Sequence, residues 1–258
     1  MYYNGRGQFD RRIFSQRGGT TMPSEKKRPL WEAGQFGRPA EPRHIGVYKI
    51  YPNPLARIDL PPPRRESGPG LWTVLQERAS IREYGPEALS LEEVSQILWA
   101  SQGISRERGE WQFRTAPSAG ALYPIETYLG VNRVEGLTGG LYHYEVRYHR
   151  LAFLREDPLI GMSLTRAALG QTACQRAALV VIWTAVVARS VRKYGERAYR
   201  YIYMDAGHVA QNLYLACTAL GLGCCAIGAF FDDEVNAVLD VDEEKEPAVY
   251  MATVGKRG

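Results

Sequence analysis

The 258-residue sequence is short of the residues and patterns that mark several classes of protein. No apolar run approaches the ~20 residues that a bilayer-spanning helix requires, and the first residues lack the apolar core of a secretory signal. Its four cysteines and four histidines form neither a disulfide framework nor an HxxxH or CxxC metal-ligand pair. We therefore predict a cytoplasmic protein with reduced, buried thiols, no membrane contact and no metal site.

Charge and motif content exclude further classes. The net charge of +4 is too small to indicate a nucleic-acid partner. No G-x-G-x-x-G follows a predicted strand, which argues against a Rossmann nicotinamide site, and there is no G-x-S-x-G nucleophile elbow. With 45% hydrophobic and 23% charged residues, the composition is that of an ordinary globular protein.

Two regions of different composition divide the chain. Residues 1–45 are rich in Gly, Arg, Pro and Gln and show no hydrophobic periodicity, so we predict a flexible or extended arm. Residues 46–258 are predicted to form one folded domain. Within it, Tyr48–Leu60 is expected to run in an extended form along the body, and Pro61–Pro63 excludes regular structure after it.

The segment Tyr201–Phe230 is the one around which the domain is organised. Ala206–Leu220 has the i, i+3, i+4, i+7 apolar spacing of a helix, and the apolar character all around its second half predicts a buried element. Gly221–Gly223 ends the predicted helix, because glycine adopts the left-handed conformation that terminates helices. The apolar run Cys224–Phe230 places Gly228 between alanines, which lets a flat ligand approach the backbone. An ordinary core helix and strand is the alternative.

The other periodic segments predict a mixture of helices and strands. Helices are expected at Leu71–Arg78, after the capping box of Ser90 and Glu93 as far as Gly103, at Leu159–Leu169, and after a cap at Asp232 or Asp233. Strands are expected at Thr127–Val131, Gly140–Tyr148, Arg150–Arg155, Ala178–Val187 and Ala248–Val254. Ser105–Gln112 is predicted to be a polar loop. Because no regular βαβ alternation appears, we predict an α+β fold rather than a doubly wound parallel sheet.

A short basic segment carries the first sign of ligand binding. Arg78, Ser80 and Arg82 would lie on one side of an extended chain, since their spacing is two. Two guanidinium groups and a hydroxyl can hold a phosphate through charge-assisted hydrogen bonds. A solvated pair of surface arginines is the alternative.

The loop Pro117–Pro124 carries the second sign. Its small residues leave the backbone accessible, so Ser118 and the N–H groups of Ala119, Gly120 and Ala121 can contact a polar heterocycle. A structural turn is the alternative.

The third sign is the adjacent pair Lys193 and Tyr194. Both are proton-transfer groups when a pocket shifts their pKa values, and an exposed loop is the alternative. His208 lies close in sequence to Gln211 and Asn212, and we predict it to be a partly buried structural residue.

Five segments, in their order along the chain, resemble the nitroreductase-like flavoproteins, and among them the SagB-type dehydrogenases that include azoline oxidases. They are RASIREY, RTAPSAGALYPIETY, GGLYHYEVRYHRL, KYGERAYRYIYMDAGHVAQNLYLACTALGLG and AIGAF. The resemblance runs from about Leu60 to the C-terminus. It implies an FMN-binding fold with a central, mainly antiparallel sheet flanked by helices, in an intertwined homodimer with two sites at its interface.

The resemblance also implies roles for individual residues. Arg78, Ser80 and Arg82 would hold the ribityl phosphate of FMN, with Lys256 and Arg257 as further phosphate contacts. The other subunit would line the flavin with Pro117, Ser118, Ala119 and Ala121, the last of which stands where many nitroreductases have asparagine. The reactive edge of the isoalloxazine would lie near Ala226, Ile227, Gly228 and Ala229. Lys193 and Tyr194 fall at the position of the Lys-Tyr pair implicated in catalysis by azoline oxidases.

The activity that the resemblance implies is FMN-dependent, two-electron oxidation of an azoline-like heterocycle. The substrate would be a small molecule or a peptide presented by a partner protein, and the Lys-Tyr pair would remove a proton while hydride passes to the flavin. One alternative is a nitroreductase or quinone reductase that takes electrons from NAD(P)H. Another is a flavin-binding protein without redox turnover.

Overall fold

The computed structural model describes residues 46–109 and 111–258. The arm predicted for residues 1–45 lies outside the described residues. The strands are β1 Ala56–Asp59, β2 Ile104–Arg108, β3 Trp111–Arg114, β4 Ile125–Val131, β5 Gly140–Glu145, β6 Arg150–Glu156, β7 Leu179–Ala185, β8 Leu222–Ile227 and β9 Ala248–Lys256. The helices are α1 Leu71–Glu77, α2 Leu91–Gln102, α3 Ile160–Ala167, α4 Ala173–Arg176, α5 Val187–Tyr194, α6 Ala198–Ala219 and α7 Asp232–Leu239.

Seven strands form one sheet in the order β1-β6-β5-β4-β7-β9-β8, and every neighbouring pair is antiparallel. All residues of β4 and β7 are buried, as the uninterrupted apolar run of β7 predicts for a strand covered on both faces. Helices α2 and α6 contribute to the core on one face of the sheet, and α3 and α7 to the core on the other. The predicted α+β fold with a mainly antiparallel sheet flanked by helices is confirmed.

The element ends follow the sequence signals. Ser90 Oγ accepts the N–H of Glu93 at 3.2 Å and the Glu93 carboxylate accepts the N–H of Ser90 at 2.9 Å, so the capping box forms and α2 ends before Gly103. Helix α6 ends at Ala219, and Gly221 has the left-handed φ of +72° that favours glycine. All four cysteines are free and buried, as predicted.

Three predictions about local structure are wrong. The region predicted as the loop Ser105–Gln112 instead contains most of β2 and the start of β3, which pair antiparallel although Ile104 is the only apolar residue of β2. Helix α7 has Phe231 at its N-cap, and Asp232 and Asp233 instead lie in the first turn, where negative charge is favoured by the helix dipole. His208 is exposed, because it lies on the face of α6 that points away from the sheet.

The described part of the chain contains neither a membrane-spanning helix nor a cluster of metal ligands. None of the helices found there has both the length and the apolar character needed to cross a bilayer. Within the same residues, no group of three or more His, Cys, Asp or Glu side chains is placed to hold a metal ion.

Candidate cofactor and active site

Helix α6 positions both groups of candidate residues. It packs on the sheet through a buried stripe that includes Ala206, Val209 and Leu213. Asp205 and Tyr214 lie nine residues apart, which on an α-helix is about 14 Å along the axis and half a turn around it. They therefore stand on opposite flanks of the buried stripe, and each organises its own set of contacts.

The basic segment that follows α1 runs beside β8, the last strand of the sheet. The N–H of Ile81 donates to the carbonyl of Cys224 at 2.9 Å, which fixes the segment along this edge. The Arg78 guanidinium lies 5.3 Å from the centre of the Tyr214 ring, and Ser80 Oγ is 3.0 Å from Tyr214 Oη. The predicted extended arrangement places these two groups on the same tyrosine.

Tyr214 joins the basic segment to the end of β8. Its Oη accepts the N–H of Ala226 at 2.7 Å as well as contacting Ser80. Burial raises the pKa of Tyr214, although its hydrogen bonds with Ala226 and Ser80 oppose the shift, so the phenol stays protonated at neutral pH. Tyr214 could not be singled out from the sequence, because it is one of four tyrosines in α6 and no local pattern distinguishes it from a core residue.

The salt bridges of the basic segment decide whether its two arginines can take a ligand. Among the described residues, neither Arg78 nor Arg82 forms a salt bridge. Arg82 lies close enough to Cys225 to oppose the effect of burial, which raises the pKa of that thiol. Two unneutralised guanidinium groups with a hydroxyl between them in sequence are a donor set that suits a phosphate dianion. We call Arg78, Ser80, Arg82, Tyr214 and Ala226 the edge cluster.

The end of β9 reaches the same sheet edge. Residues Tyr84 and Arg257 form a backbone bridge, so the C-terminus runs beside the chain that follows Arg82. Lys256 Nζ lies 2.6 Å from the Glu93 carboxylate, and Arg257 Nε donates to a backbone carbonyl at 3.3 Å. Part of their donor capacity is therefore used within the chain, and their predicted phosphate contact remains a prediction.

The residues after Ala226 extend from the edge cluster toward solvent. Ile227 is buried in the core, so only its backbone can face a ligand, whereas Gly228 and Ala229 are exposed. The carbonyl of Ala229 accepts a hydrogen bond from Gln171 at 2.9 Å. A side chain at Gly228 would meet only the Tyr250 ring at 3.7 Å, so packing within the chain does not require glycine there.

Asp205 holds the loop of small residues on the other flank of α6. Ser118 Oγ donates to Asp205 Oδ2 at 2.6 Å, and the N–H of Ala119 donates to Oδ1 at 3.2 Å. The N–H of Tyr123 in turn donates to Ser118 Oγ at 2.9 Å. Two of the groups predicted to contact a heterocycle are thus engaged with Asp205. The sequence signal for this contact is the acid itself, because Asp205 is buried on an otherwise apolar helix face.

Burial of the Asp205 carboxylate disfavours its charged form. Burial raises its pKa, and the hydrogen bonds from Ser118 and Ala119, together with His208, oppose the shift. The carboxylate therefore depends on these donors, which ties the position of the loop to that of α6.

The Lys193–Tyr194 pair meets this loop at Gly120. The pair ends helix α5 and is not in a loop; Lys193 is exposed and Tyr194 is half-buried. A Cβ atom at Gly120 would lie 2.6 Å from Tyr194 Oη and 2.7 Å from Lys193 Nζ. Gly120 also has a φ of +66°, in the left-handed region that favours glycine. The fold thus brings together the small-residue loop and the Lys193–Tyr194 pair. We call Lys193, Tyr194, Pro117–Ala121 and Asp205 the loop cluster.

A buried ion-pair network anchors the helix that carries the pair. Arg189 Nη1 lies 2.5 Å from Glu126 Oε1 and donates to the carbonyl of Tyr123 at 2.9 Å, so α5 is tied to β4 and to the loop. His143 Nε2 lies 2.9 Å from the other Glu126 oxygen. Burial alone would raise the pKa of Glu126, but Arg189, His143 and Arg114 together lower it to about 2. No local pattern in the sequence indicates this network, because Glu126, His143 and Arg189 belong to three different elements.

The antiparallel sheet, its two helical layers and the edge cluster define a nitroreductase-like α+β protein. A sequence model of the Nitroreductase family matches residues 75–256, and the chain belongs to this family. Proteins of this family generally bind flavin and are generally oxidoreductases, and this chain is a nitroreductase-family oxidoreductase.

Individual relatives agree with the assignment. A nitroreductase-family protein of Methanocaldococcus jannaschii is 42% identical over 187 residues, which is 72% of this chain and 91% of that protein. The trifolitoxin-processing protein TfxB of Rhizobium leguminosarum is 32% identical over 145 residues, which is 55% of this chain but 39% of TfxB. The predicted likeness to SagB-type dehydrogenases within the family is confirmed.

Solved structures show the same fold. A nitroreductase structure from Anabaena variabilis superposes with a TM-score of 0.71 at 32% identity, covering 83% of this chain and 44% of that one. The Escherichia coli microcin synthetase McbBCD complex with truncated pro-MccB17 bound contains a chain that superposes with a TM-score of 0.60 at 22% identity, covering 68% of this chain and 67% of that one.

Proposed function

We propose that the protein is an FMN-dependent oxidoreductase of SagB type that oxidises an azoline-like heterocycle by two electrons. The observation that carries the proposal is the convergence of Lys193 Nζ and Tyr194 Oη on Gly120, in the loop expected to line the flavin. Names of relatives support a peptide as the carrier of the heterocycle, since TfxB processes trifolitoxin and the McbBCD structure holds a truncated pro-peptide. A free small molecule is the other form of the same substrate class.

The residues of the edge cluster fit the phosphate end of FMN. Arg78 and Arg82 supply cationic donors that no described carboxylate neutralises, and Ser80 adds a hydroxyl. FMN, when bound, would supply the hydride acceptor for the reaction. Tyr214 would keep Ser80 and the start of the Ala226–Ala229 segment in one arrangement, so that phosphate and ring contacts keep a constant spacing.

The position of the two clusters supports a site shared between two copies of the chain. Within one chain the residues of α6 that organise them, Asp205 and Tyr214, lie on opposite flanks of the helix and about 14 Å apart along its axis. Large apolar side chains are exposed on the same part of the surface, with Trp72 of α1 80% exposed and Tyr203 and Met204 of α6 also exposed. A second copy packed on α6 would cover these side chains and bring its loop cluster to the edge cluster of the first.

The proposed role of the Lys-Tyr pair is proton removal. Oxidation of an azoline to an azole removes a proton from one ring carbon and a hydride from the other, and aromatisation makes the overall change favourable. Lys193 and Tyr194 would take the proton, with Gly120 leaving room for both groups beside the backbone. The Glu126–Arg189 pair would hold α5 in the orientation that presents them.

The test is to purify the protein, identify its bound chromophore and assay azoline and nitroaromatic substrates side by side. The proposal expects a yellow protein that releases FMN on denaturation and oxidises an azoline peptide in a manner that requires Lys193. A colourless protein that rejects added FMN would contradict the cofactor assignment.

A second function is favoured by the similarity to the Methanocaldococcus protein, which covers 91% of that protein and 72% of this chain and whose name is that of a nitroreductase. This function is a nitroreductase or quinone reductase that takes electrons from NAD(P)H. Steady NAD(P)H oxidation with nitroaromatics that is unaffected by Lys193→Ala would select this function. Tight FMN binding without reduction by any donor would instead indicate a flavin-binding protein without turnover.

A further inference from the structure

A cleft of about 740 Å³ lies between the β2–β3 hairpin, the β5–β6 turn and the chain that follows β1. Its volume is typical of sites for small molecules. Strands β1 and β6 stand at the opposite side of the sheet from β8, and five strand spacings between β6 and β8 correspond to about 24 Å. No residue of the edge cluster or of the loop cluster lines the cleft, so it is separate from the proposed flavin site.

Part of the lining is apolar and lacks free polar atoms. Leu60 and the Tyr144 ring are buried, and Trp99 and Ile104 are half-buried. The indole N–H of Trp99 donates to the carbonyl of Ile104 at 3.2 Å, so the one polar atom of that side chain is already used. This surface suits the apolar or aromatic body of a ligand.

Three arginines line the cleft, and each rests on an aromatic ring. The guanidinium of Arg65 lies 5.9 Å from the Trp99 ring, that of Arg106 lies 4.8 Å from the Phe113 ring, and that of Arg147 lies 5.8 Å from the Tyr148 ring. In the described part of the chain, none of the three forms a salt bridge. Contact with a ring face orients a guanidinium and leaves its N–H edge available to an anion.

Two of the other polar side chains that line the cleft are already engaged in hydrogen bonds within the chain. The carboxylates of Asp59 and Glu107 also line it, but Glu107 already accepts a hydrogen bond from Gln112 at 2.6 Å. His149 uses both ring nitrogens, at 2.8 Å from Ser95 Oγ and 2.7 Å from Tyr144 Oη. Burial and the nearby arginine lower the pKa of His149, so the charged lining at neutral pH is three arginines against two carboxylates.

We propose that this cleft binds a small amphipathic anion. Its apolar or aromatic body would lie against Leu60 and Trp99, and its carboxylate or phosphate group would bind Arg106 and Arg147. The site would act independently of the proposed flavin chemistry, because the residues that form it are not those of the edge or loop clusters.

Isothermal titration calorimetry of the full chain tests the site, with FMN added to saturation so that the edge cluster does not take the probe. The probes are 3-phenylpropionate and phenyl phosphate, with 3-phenylpropanamide as the uncharged analogue. We expect at least one anion to bind about tenfold or more tightly than the amide, because only an anion can pair with the arginines. The better of the two anions identifies the head group.

The variant Arg106→Gln/Arg147→Gln should weaken binding of that anion by about tenfold or more. The matched control is Arg166→Gln, which removes an exposed arginine from α3 on another part of the surface and should leave affinity unchanged. Because both cleft arginines are exposed, the fold should survive; the single variants Arg106→Gln and Arg147→Gln give the same test if the double variant does not fold. Equal affinity for amide and anions, no anion binding, or unchanged affinity in the arginine variants would overturn the proposal.

Discussion

The edge cluster and the loop cluster flank the same helix but use their polar atoms in opposite ways. In the edge cluster, Arg78 and Arg82 have no salt-bridge partner among the described residues. In the loop cluster, Ser118 and Ala119 are both engaged with Asp205. The arginines of the edge cluster can donate hydrogen bonds to an anionic ligand. In the loop cluster, the hydrogen bonds of Ser118 and Ala119 hold the loop against α6.

The difference indicates that the edge cluster binds the cofactor and the loop cluster positions the catalytic pair. Binding a phosphate requires free cationic donors, whereas presenting Lys193 and Tyr194 to a substrate requires a rigid backbone beside them. The Asp205 contacts and the Glu126–Arg189 pair supply that rigidity from two sides. Variants in one cluster should therefore change FMN affinity, and variants in the other should change turnover.

The largest expected effect is on turnover. Replacing Lys193 with Ala and Tyr194 with Phe should lower azoline oxidation by about 10²–10⁴-fold, because the variant loses its proton acceptors. Its FMN content, measured by flavin absorbance of the purified protein, should equal that of the wild type. Loss of FMN together with activity would show that the clusters are not separable in this way.

Glu126→Gln should break the ion pair that holds α5 beside the loop cluster and leave the edge cluster unchanged. The change leaves the buried Arg189 without its charge partner, and should lower the free energy of unfolding at pH 7 by about 3–5 kcal/mol in chemical denaturation. Glu135→Gln, at an exposed position, is the matched control and should be nearly neutral.

The loss of stability in Glu126→Gln should depend on pH. The folded-state pKa of Glu126 is about 2, below its ordinary value of 4.5, so the charged carboxylate stabilises the fold above pH 4.5 and the stabilisation is lost as the pH falls toward 2. The difference in stability between wild type and Glu126→Gln should shrink over that interval. A difference that does not change with pH would exclude the ion pair as its cause.

Arg82→Ala should affect FMN affinity more than turnover at saturating FMN. Loss of one charged hydrogen-bond partner should weaken FMN binding by roughly 1.5–3 kcal/mol, measured by quenching of flavin fluorescence. Arg166→Ala removes an exposed arginine elsewhere and should bind FMN as the wild type does. If the two variants are indistinguishable, Arg82 is not a phosphate ligand.

Asp205→Asn should have the smallest effect. The amide keeps one oxygen for Ser118 but loses the charge and the second acceptor, so the N–H of Ala119 faces an NH2 group that cannot accept it. A hydrogen bond to a charged acceptor is stronger than a neutral one by about 1 kcal/mol. Because burial already raises the pKa of Asp205, part of this loss is offset by removing an unfavourable charge. We expect a few-fold decrease in kcat with unchanged FMN affinity; weaker FMN binding with normal kcat would contradict the proposed role.

Elements with strong periodicity could be predicted from the sequence. The apolar spacing of α6, the glycine after it and the β-branched run of β7 each specify their own local structure. The hairpin β2–β3 could not be predicted, because Ile104 is the only apolar residue of β2 and the alternation of Trp111 and Phe113 with polar residues in β3 is confined to one short strand.

The candidate site was predictable residue by residue but not as an arrangement. The basic segment, the small-residue loop and the Lys-Tyr pair each have a local chemical signature. Their supports do not, since Ser118 meets Asp205 across 87 residues and Ser80 meets Tyr214 across 134. Such contacts depend on how α6 packs, which no local pattern encodes.

The shared site is the central claim, and a mixed dimer tests it most directly. One tagged chain would carry Arg78→Gln/Arg82→Gln and the other Lys193→Ala/Tyr194→Phe, with both homodimers inactive in azoline oxidation at limiting FMN. If each site combines the edge cluster of one chain with the loop cluster of the other, the purified heterodimer has one intact site and should recover about half of wild-type turnover. A heterodimer as inactive as its two parents would contradict the shared site.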